Sequence, residues 1–131
     1  MVRNTNPVNW FEIYVEDMER ARKFYATVLA ETMSDMPVPE GPESGDMQMV
    51  AFPWMEDASN AAGALVKSPD WKPGAGGTLV YFTCDDCSTE EKRVPAAGGK
   101  VVQGKFPIGE HGFCSICMDT EGNVFGLHST K

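Results

Sequence analysis

One pattern occurs twice in this sequence, and the internal repeat limits the folds that the chain can adopt. Residues 10–15 (WFEIYV) have the aromatic and β-branched content of a strand, and Asp17 follows at the position of a helix N-cap. Residues 80–84 (VYFTC) and Asp86 repeat this order at an offset of 69 residues (86 − 17). The repeat predicts two similar modules, each of which begins with a strand and a helix.

Each module is predicted to continue into further strands. After Asp17, apolar residues recur at the spacing of a helix with one buried stripe, at Met18, Ala21, Tyr25, Val28 and Leu29. After Asp86 we expect a shorter or kinked helix, because Pro95 interrupts it. Later strands are predicted at residues 47–54, 63–67, 101–106, 113–118 and 123–128. The modules span about residues 1–70 and 71–131, with a linker rich in proline and glycine at residues 68–77.

The two modules are expected to form one α+β domain over residues 1–131 that encloses a cup. A single module covers one face of its sheet with its helix and leaves the other face open. Two such sheets can curl into a shared concavity, which is the usual shape of a ligand site. Because side chains alternate along a strand, the residues that face the cup can be predicted. They are Trp10, Glu12, Tyr14, Ala64, Val66, Leu79, Tyr81, Thr83, Gly126 and His128.

The composition excludes two classes of partner. The chain has 19 acidic and 11 basic residues and a net charge of −8, so sequence-independent binding of nucleic acid is not expected. No apolar run reaches the roughly 20 residues that a bilayer span needs, so no membrane insertion is expected. Residues 1–7 lack the apolar segment of a secretory signal, and we therefore expect a cytoplasmic protein.

Four segments of the chain resemble the vicinal oxygen chelate superfamily, which includes glyoxalase I, bleomycin-resistance proteins and extradiol dioxygenases. They are WFEIYVEDMERARKFYATVL at residues 10–29, GALVK at residues 63–67, GTLVYFTCDD at residues 77–86 and IGEHGFCSICMDTEGNVFGLH at residues 108–128. The pattern is most similar to the group related to lactoylglutathione lyase. The resemblance implies two βαβββ modules that form a glyoxalase/bleomycin-resistance-like cupped mixed β-sheet with flanking helices. It also implies a homodimer, because members commonly build their cups across two chains or two tandem copies.

In metal-dependent members of the superfamily, His, Gln or Glu side chains on the first and last strands of each module bind a divalent ion. The matching positions here hold Trp10, Ala64, Leu79 and Gly126. None of these side chains can ligate a metal. We therefore expect neither a metal nor any other cofactor.

Glu12 and His128 are the candidates for catalysis. Both are expected to face the cup, where a carboxylate near an imidazole can acquire a proton affinity suited to abstracting a proton next to a carbonyl. Tyr14 or Tyr81 would then donate a hydrogen bond to the developing oxyanion. His128 also lies at a strand end three residues before the last residue, so a purely structural histidine is the alternative.

Other residues are expected to contact a ligand. Met49 and Trp54 would form one wall, with the proline-rich loop of residues 37–45 as its lid, unless the methionines merely fill a core. Glu110 and His111 can act together only if their glycine-flanked turn re-aims one of them, and a surface turn is the alternative. The full set of predicted ligand contacts is Trp10, Tyr14, Met49, Trp54, Tyr81, Thr83, Glu110 and His111.

Two CxxC pairs, Cys84 with Cys87 and Cys114 with Cys117, have the spacing of a zinc site. However, Cys114 and Cys117 are an odd number of residues apart in one predicted strand and therefore face opposite sides. Cys84 and Cys87 occupy positions that hold apolar residues in the first module. We interpret the cysteines as buried core residues, with metal binding and redox chemistry as the alternatives.

Two functions stay open on the sequence alone, and both place a small molecule in the cup. The first is a lyase or isomerase of glyoxalase type that acts on a small carbonyl or thiol-conjugated metabolite without the divalent metal site. The second is a noncatalytic protein of bleomycin-resistance type that sequesters an aromatic or cationic compound. Glu12 with its aromatic neighbours suits the second function through stacking and cation-π contacts.

Overall fold

The elements follow the predicted order in a computed structural model that describes residues 5–38 and 45–131. The first module comprises β1 (Val8–Tyr14), α1 (Met18–Leu29), β2 (Ser34–Met36), β3 (Gln48–Ala51) and β4 (Ala62–Lys67). The second comprises β5 (Thr78–Thr83), α2 (Cys87–Ala96), β6 (Lys100–Pro107), a 3₁₀ helix (Gly109–His111), β7 (Phe113–Met118) and β8 (Val124–Ser129). Strand β2 was not predicted, because its three residues are too few to show alternation.

The strands of the described residues form one mixed sheet in the order β2-β3-β4-β1-β5-β8-β7-β6. Strand β1 pairs parallel with β4, and β5 pairs parallel with β8, so the two modules share one internal arrangement. Strands β1 and β5 pair antiparallel with each other and join the modules into a continuous sheet. The predicted α+β fold with a cupped mixed sheet is confirmed.

Both helices begin at the predicted N-caps. The carboxylate of Asp17 accepts a hydrogen bond from the backbone N–H of Arg20, and the carboxylate of Asp86 accepts one from the backbone N–H of Ser88. Each bond satisfies an N–H group that has no partner within the first helical turn. Helix α2 ends one residue after Pro95, which agrees with its predicted shortness. None of the described helices is long and apolar enough to cross a membrane.

The helices cover the outer face of the sheet. Met18, Ala21 and Tyr25 of α1 pack there as predicted. Val28 and Leu29 were predicted to be buried, but they are 62% and 49% exposed. Val28 lies on the same helical face as Tyr25 by its spacing, so its exposure comes from its place in the last turn, beyond the residues that pack on the sheet.

All four cysteines are free and buried. Cys84 and Cys117 pack with Cys87, the first residue of α2, whereas Cys114 lies on the opposite, inner face of the sheet. Burial raises the pKa of the Cys87 and Cys117 thiols, which favours their protonated form. In the part of the chain that the structure describes, no group of three or more His, Cys, Asp or Glu side chains is arranged to hold a metal. The structure agrees with core packing, because four thiols on two faces of one sheet cannot bind one zinc ion.

Candidate functional site

The inner face of the sheet carries a packed apolar cluster rather than an empty cup. Its buried members are Tyr14, Met49, Ala64, Val66, Leu79, Tyr81, Cys114 and Ile116. Partly buried apolar side chains surround them and form what we call the cup mouth, namely Trp10, Met36, Val38, Met47, Trp71, Phe106, Ile108 and Val124. The predicted cup-facing residues of β1 and β4, with Leu79 and Tyr81 of β5, thus lie on the inner face.

Glu12 is the acidic side chain at the centre of this face, and three neighbours donate hydrogen bonds to it. Its Oε2 atom accepts the indole N–H of Trp10 at 3.0 Å. Its Oε1 atom accepts the hydroxyl groups of Tyr14 at 3.0 Å and of Tyr81 at 3.5 Å. We call these four residues the Glu12 cluster. Three hydrogen-bond donors thus converge on one carboxyl group among apolar walls.

His128 takes part in a different set of hydrogen bonds. Its Nε2 atom lies 2.7 Å from the backbone oxygen of His111, and its Nδ1 atom lies 3.2 Å from the side-chain nitrogen of Asn9. Because a carbonyl oxygen only accepts, the Nε2 atom must carry a hydrogen. In the neutral ring the Nδ1 atom then accepts from Asn9, so both ring nitrogens already have partners.

The structure does not bring Glu12 and His128 together as an acid–base pair. His128 is the register partner of Thr83 on β5, whereas Glu12 is the register partner of Leu79 on the same strand. These two partners are four positions apart along β5, which is roughly 13 Å at about 3.3 Å per residue. The predicted pairing of Glu12 with His128 is therefore not observed. Glu12 instead accepts hydrogen bonds from Trp10, Tyr14 and Tyr81.

Asn9 is a residue of this region that strand alternation missed. The register between β1 and β5 shifts between Val8 and Trp10, so Asn9 is the extra residue of a β-bulge. The bulge lets its side chain donate to the hydroxyl of Thr83 and reach His128. Regular alternation would have placed Asn9 on the outer face, and nothing in the local sequence marks the bulge.

Comparisons with known proteins agree with this architecture. The sequence profile of the family described as "Bleomycin resistance protein-like N-terminal" matches residues 8–40. "Putative glyoxylase CFP32" of Mycobacterium bovis and of Mycobacterium tuberculosis is 29% identical over 119 residues, which are 91% of this chain and 44% of the relative. The chain thus spans less than half the length of these curated relatives.

Solved structures share the fold over almost the whole chain. A methylmalonyl-CoA epimerase from Mycobacterium tuberculosis has a TM-score of 0.64 and 14% identity, covering 100% of this chain and 93% of that chain. A hypothetical protein from Bacillus halodurans has a TM-score of 0.66 and 12% identity, covering 95% and 94%. A variant of the Streptomyces coelicolor methylmalonyl-CoA epimerase, in complex with 2-nitronate-propionyl-CoA, has a TM-score of 0.62 and 14% identity, covering 97% and 99%.

These matches support the resemblance of the chain to the vicinal oxygen chelate superfamily. The chain does not offer a divalent ion the side chains that metal-dependent members of that superfamily use. Trp10 donates its N–H to Glu12, and both Ala64 and Leu79 are buried apolar residues. A Cβ atom at Gly126 would overlap the ring of Tyr81. The Tyr81 ring therefore fills the space that a ligating side chain at position 126 would need, and the four positions do not fit a metal.

Trp71 is a further residue of this region that the sequence did not reveal. It lies in the linker, yet its ring stacks on Tyr14 with the centroids 5.5 Å apart and 16° between the planes. The backbone N–H of Tyr14 donates to the oxygen of Gly77 at 3.0 Å, which holds the end of the linker beside β1. The linker thus forms part of the cup mouth. The sequence signal was an aromatic residue within a segment rich in proline and glycine.

The wall predicted from Met49 and Trp54 is half correct in its placement. Met49 is buried in the inner cluster. Trp54 is 64% exposed and lies outside that cluster, because β3 ends at Ala51 instead of continuing to residue 54. The predicted lid of residues 37–45 falls largely on residues 39–44, which lie outside the described residues.

Glu110 and His111 lie side by side at the surface in the 3₁₀ helix. The helix re-aims the two side chains, so that the His111 Nε2 atom is 3.9 Å from the Glu110 Oε1 atom. Both side chains are exposed, and His111 reaches the sheet through its backbone oxygen, which contacts His128. The structure therefore connects this loop to His128 but not to the Glu12 cluster.

Proposed function

We propose that the protein binds and sequesters a small aromatic or cationic compound in the cup mouth. The Glu12 cluster is the single observation that carries the proposal. Its carboxylate lies among the rings of Trp10, Tyr14 and Tyr81, so it supplies an acidic anchor for an ammonium or N–H group of a ligand. Apolar walls with one polar anchor are typical of small-molecule sites, and the aromatic rings suit a cation.

Two further observations support sequestration. The profile match is to a bleomycin-resistance-like family. His128 forms hydrogen bonds with Asn9 and with the backbone oxygen of His111, and not with Glu12. The proposal requires no metal or other cofactor, because the four metal positions hold residues that do not fit an ion. It also includes the cytoplasmic location that the sequence led us to expect.

The proposal is tested with phenyltrimethylammonium, an aromatic cation, by quenching of tryptophan fluorescence. We expect Glu12→Gln to weaken binding by about tenfold or more, because the amide keeps the shape of the side chain and removes its charge. Glu19→Gln makes the same charge change on the outer helix and should leave the affinity unchanged. Equal affinities for the wild type and Glu12→Gln would refute the role of Glu12.

Catalysis as a lyase or isomerase is the second candidate, and one arrangement favours it. Tyr14 and Tyr81 place two hydroxyl groups beside the Glu12 carboxylate. If Glu12 removed a proton next to a carbonyl, either hydroxyl could donate a hydrogen bond to the resulting oxyanion. Several neighbours in fold are methylmalonyl-CoA epimerases, so an acyl-CoA with an acidic α-proton is the substrate to try first.

Exchange of the α-proton of methylmalonyl-CoA in D₂O, followed by proton NMR, distinguishes the two functions. Exchange that disappears in Glu12→Gln would establish catalysis by Glu12. Exchange that a chelator abolishes would contradict a mechanism without metal. Binding of the cation without any exchange would favour sequestration.

A further inference from the structure

A cavity of about 530 Å³ lies beside the cup, where the ends of β1, β3 and β4 meet the linker. Trp71 lines this cavity, and the same ring stacks on Tyr14 of the inner cluster. Trp71 is therefore a wall shared by the cup and the neighbouring cavity. The volume lies within the range of about 300–1,000 Å³ that is usual for small-molecule sites.

Backbone contacts hold the walls of this cavity in place. The N–H of Val15 donates to the oxygen of Val66 at 2.9 Å, which joins the ends of β1 and β4. Ser68 is buried, and its hydroxyl accepts the N–H of Asp70 at 3.2 Å. Two linker prolines also line the cavity and restrict its backbone. The cavity is therefore largely formed before a ligand enters.

Charged side chains of both signs line the cavity. They are Glu16, Asp46, Lys67 and Lys72. The ion pairs found within residues 5–38 and 45–131 involve none of these four side chains. Carboxylate and ammonium groups around an aromatic wall are complementary to a ligand that carries both charges and a ring.

We propose that this cavity binds a small zwitterion with an aromatic ring. Lys67 and Lys72 would pair with the anionic group of the ligand, and the indole of Trp71 would stack on its ring. Glu16 and Asp46 would pair with the cationic group. The site shares Trp71 with the cup mouth but uses none of the hydrogen bonds of the Glu12 cluster, so the two proposals can be tested separately.

Three probes that share one ring test the charge requirement by calorimetry on the Glu12→Gln variant, in which the cup has lost its anchor for a cation. L-tryptophan is a zwitterion, indole-3-propionate is an anion and tryptamine is a cation. We expect L-tryptophan to bind about tenfold more tightly than either of the other two, since only the zwitterion satisfies both sets of side chains. Equal affinities for the three probes, or no binding of L-tryptophan at millimolar concentration, would overturn the proposal.

Two double variants assign the charges. Lys67→Met with Lys72→Met should reduce the affinity for L-tryptophan to that for tryptamine. Glu16→Gln with Asp46→Asn should reduce it to that for indole-3-propionate. These side chains are exposed, so both variants should keep the wild-type circular dichroism spectrum.

The last comparison separates the cavity from the cup. Glu12→Gln should leave the affinity for L-tryptophan unchanged, whereas Trp71→Leu should lower it severalfold. Loss of L-tryptophan binding in Glu12→Gln would place the ligand in the cup and overturn the assignment. If both double variants bound L-tryptophan with wild-type affinity, the assignment would also be overturned.

Discussion

Gly126 and Tyr81 share a single volume on the inner face of the sheet. They are register partners in the parallel pair of β5 and β8, and a Cβ atom at position 126 would overlap the tyrosine ring. Gly126 does not have a positive φ, so the backbone alone does not require glycine there. The glycine instead makes room for Tyr81, whose hydroxyl reaches Glu12.

Gly126→Ala should therefore displace the Tyr81 ring. We expect a loss of about 1–3 kcal/mol in the free energy of unfolding, the usual cost of overpacking, measured by urea denaturation. Gly104→Ala in β6 is the matched control, because its Cβ atom would make an ordinary contact 3.7 Å from the Glu91 side chain of α2. Equal losses of unfolding free energy in Gly126→Ala and Gly104→Ala would contradict an overlap between a side chain at position 126 and the Tyr81 ring.

At this scale, alternation along β1 predicted the inward positions of Trp10, Glu12 and Tyr14. Alternation could not predict Asn9, because a bulge is defined by the pairing of two strands. Nor could it predict Trp71, because the contact of a linker ring with Tyr14 depends on the tertiary path of the linker. Such contacts are nonlocal, so the alternation of side chains along one strand does not reveal them.

At the scale of elements, the start of α2 is tied to the sheet by Asp86. Its carboxylate accepts the backbone N–H of Ser88 at 3.0 Å and the hydroxyl of Ser88 at 2.7 Å. The ammonium group of Lys105 on β6 lies 3.0 Å from the same oxygen. The hydroxyl of Ser88 and then Lys105 lower the pKa of Asp86 to about 2.

This pKa predicts how stability depends on pH. A carboxyl group whose pKa is lower in the folded state contributes stability that is present above its unfolded value of 3.8 and is lost as the pH falls toward about 2. Asp86→Asn should lower the free energy of unfolding at about pH 5, and its decrease between about pH 4 and 2 should be shallower than in the wild type.

Urea denaturation at several pH values measures this difference. Asp85→Asn is the control, because Asp85 is an exposed neighbour of the capping residue. Wild-type and Asp86→Asn curves with the same slope below about pH 4 would show that Asp86 does not carry the effect.

The caps at Asp17 and Asp86 could be predicted because a helix N-cap is set by a few adjacent residues. Strand β2 could not, since its three residues acquire strand geometry by pairing with β3. The prediction that Val28 and Leu29 are buried at the end of α1 was wrong for a related reason. Periodicity identified the face of Val28 but not how far the sheet extends beneath it.

At the scale of the whole molecule, the repeat predicted two equivalent modules, and the antiparallel pair of β1 and β5 unites them. On the outer side of the sheet, some large apolar side chains of α1 stay exposed to solvent. Phe24 is 58% exposed and lies one helical turn before Val28, which is 62% exposed. Large apolar side chains grouped on a surface often mark a contact with another chain.

We expect this end of α1 to contact a second copy of the chain in the homodimer that the resemblance implied. Light scattering after gel filtration should give a mass about twice the 14.3 kDa of one chain. Val28→Asp should shift the protein toward the monomer, because dimer formation would then bury an unpaired charge. Lys23→Glu, an exposed change on the same helix, should not. A monomeric mass for the wild type at high concentration would refute the dimer.

The central position of β1 and β5 has a consequence for each half of the chain taken alone. A separated module would expose the full edge of its first strand, with backbone groups that pair readily with another strand. Two chains could then exchange halves, since the β1 of one copy fits the β5 of another as well as its own. The linker length, rather than the strand chemistry, would decide between a closed chain and a domain-swapped pair.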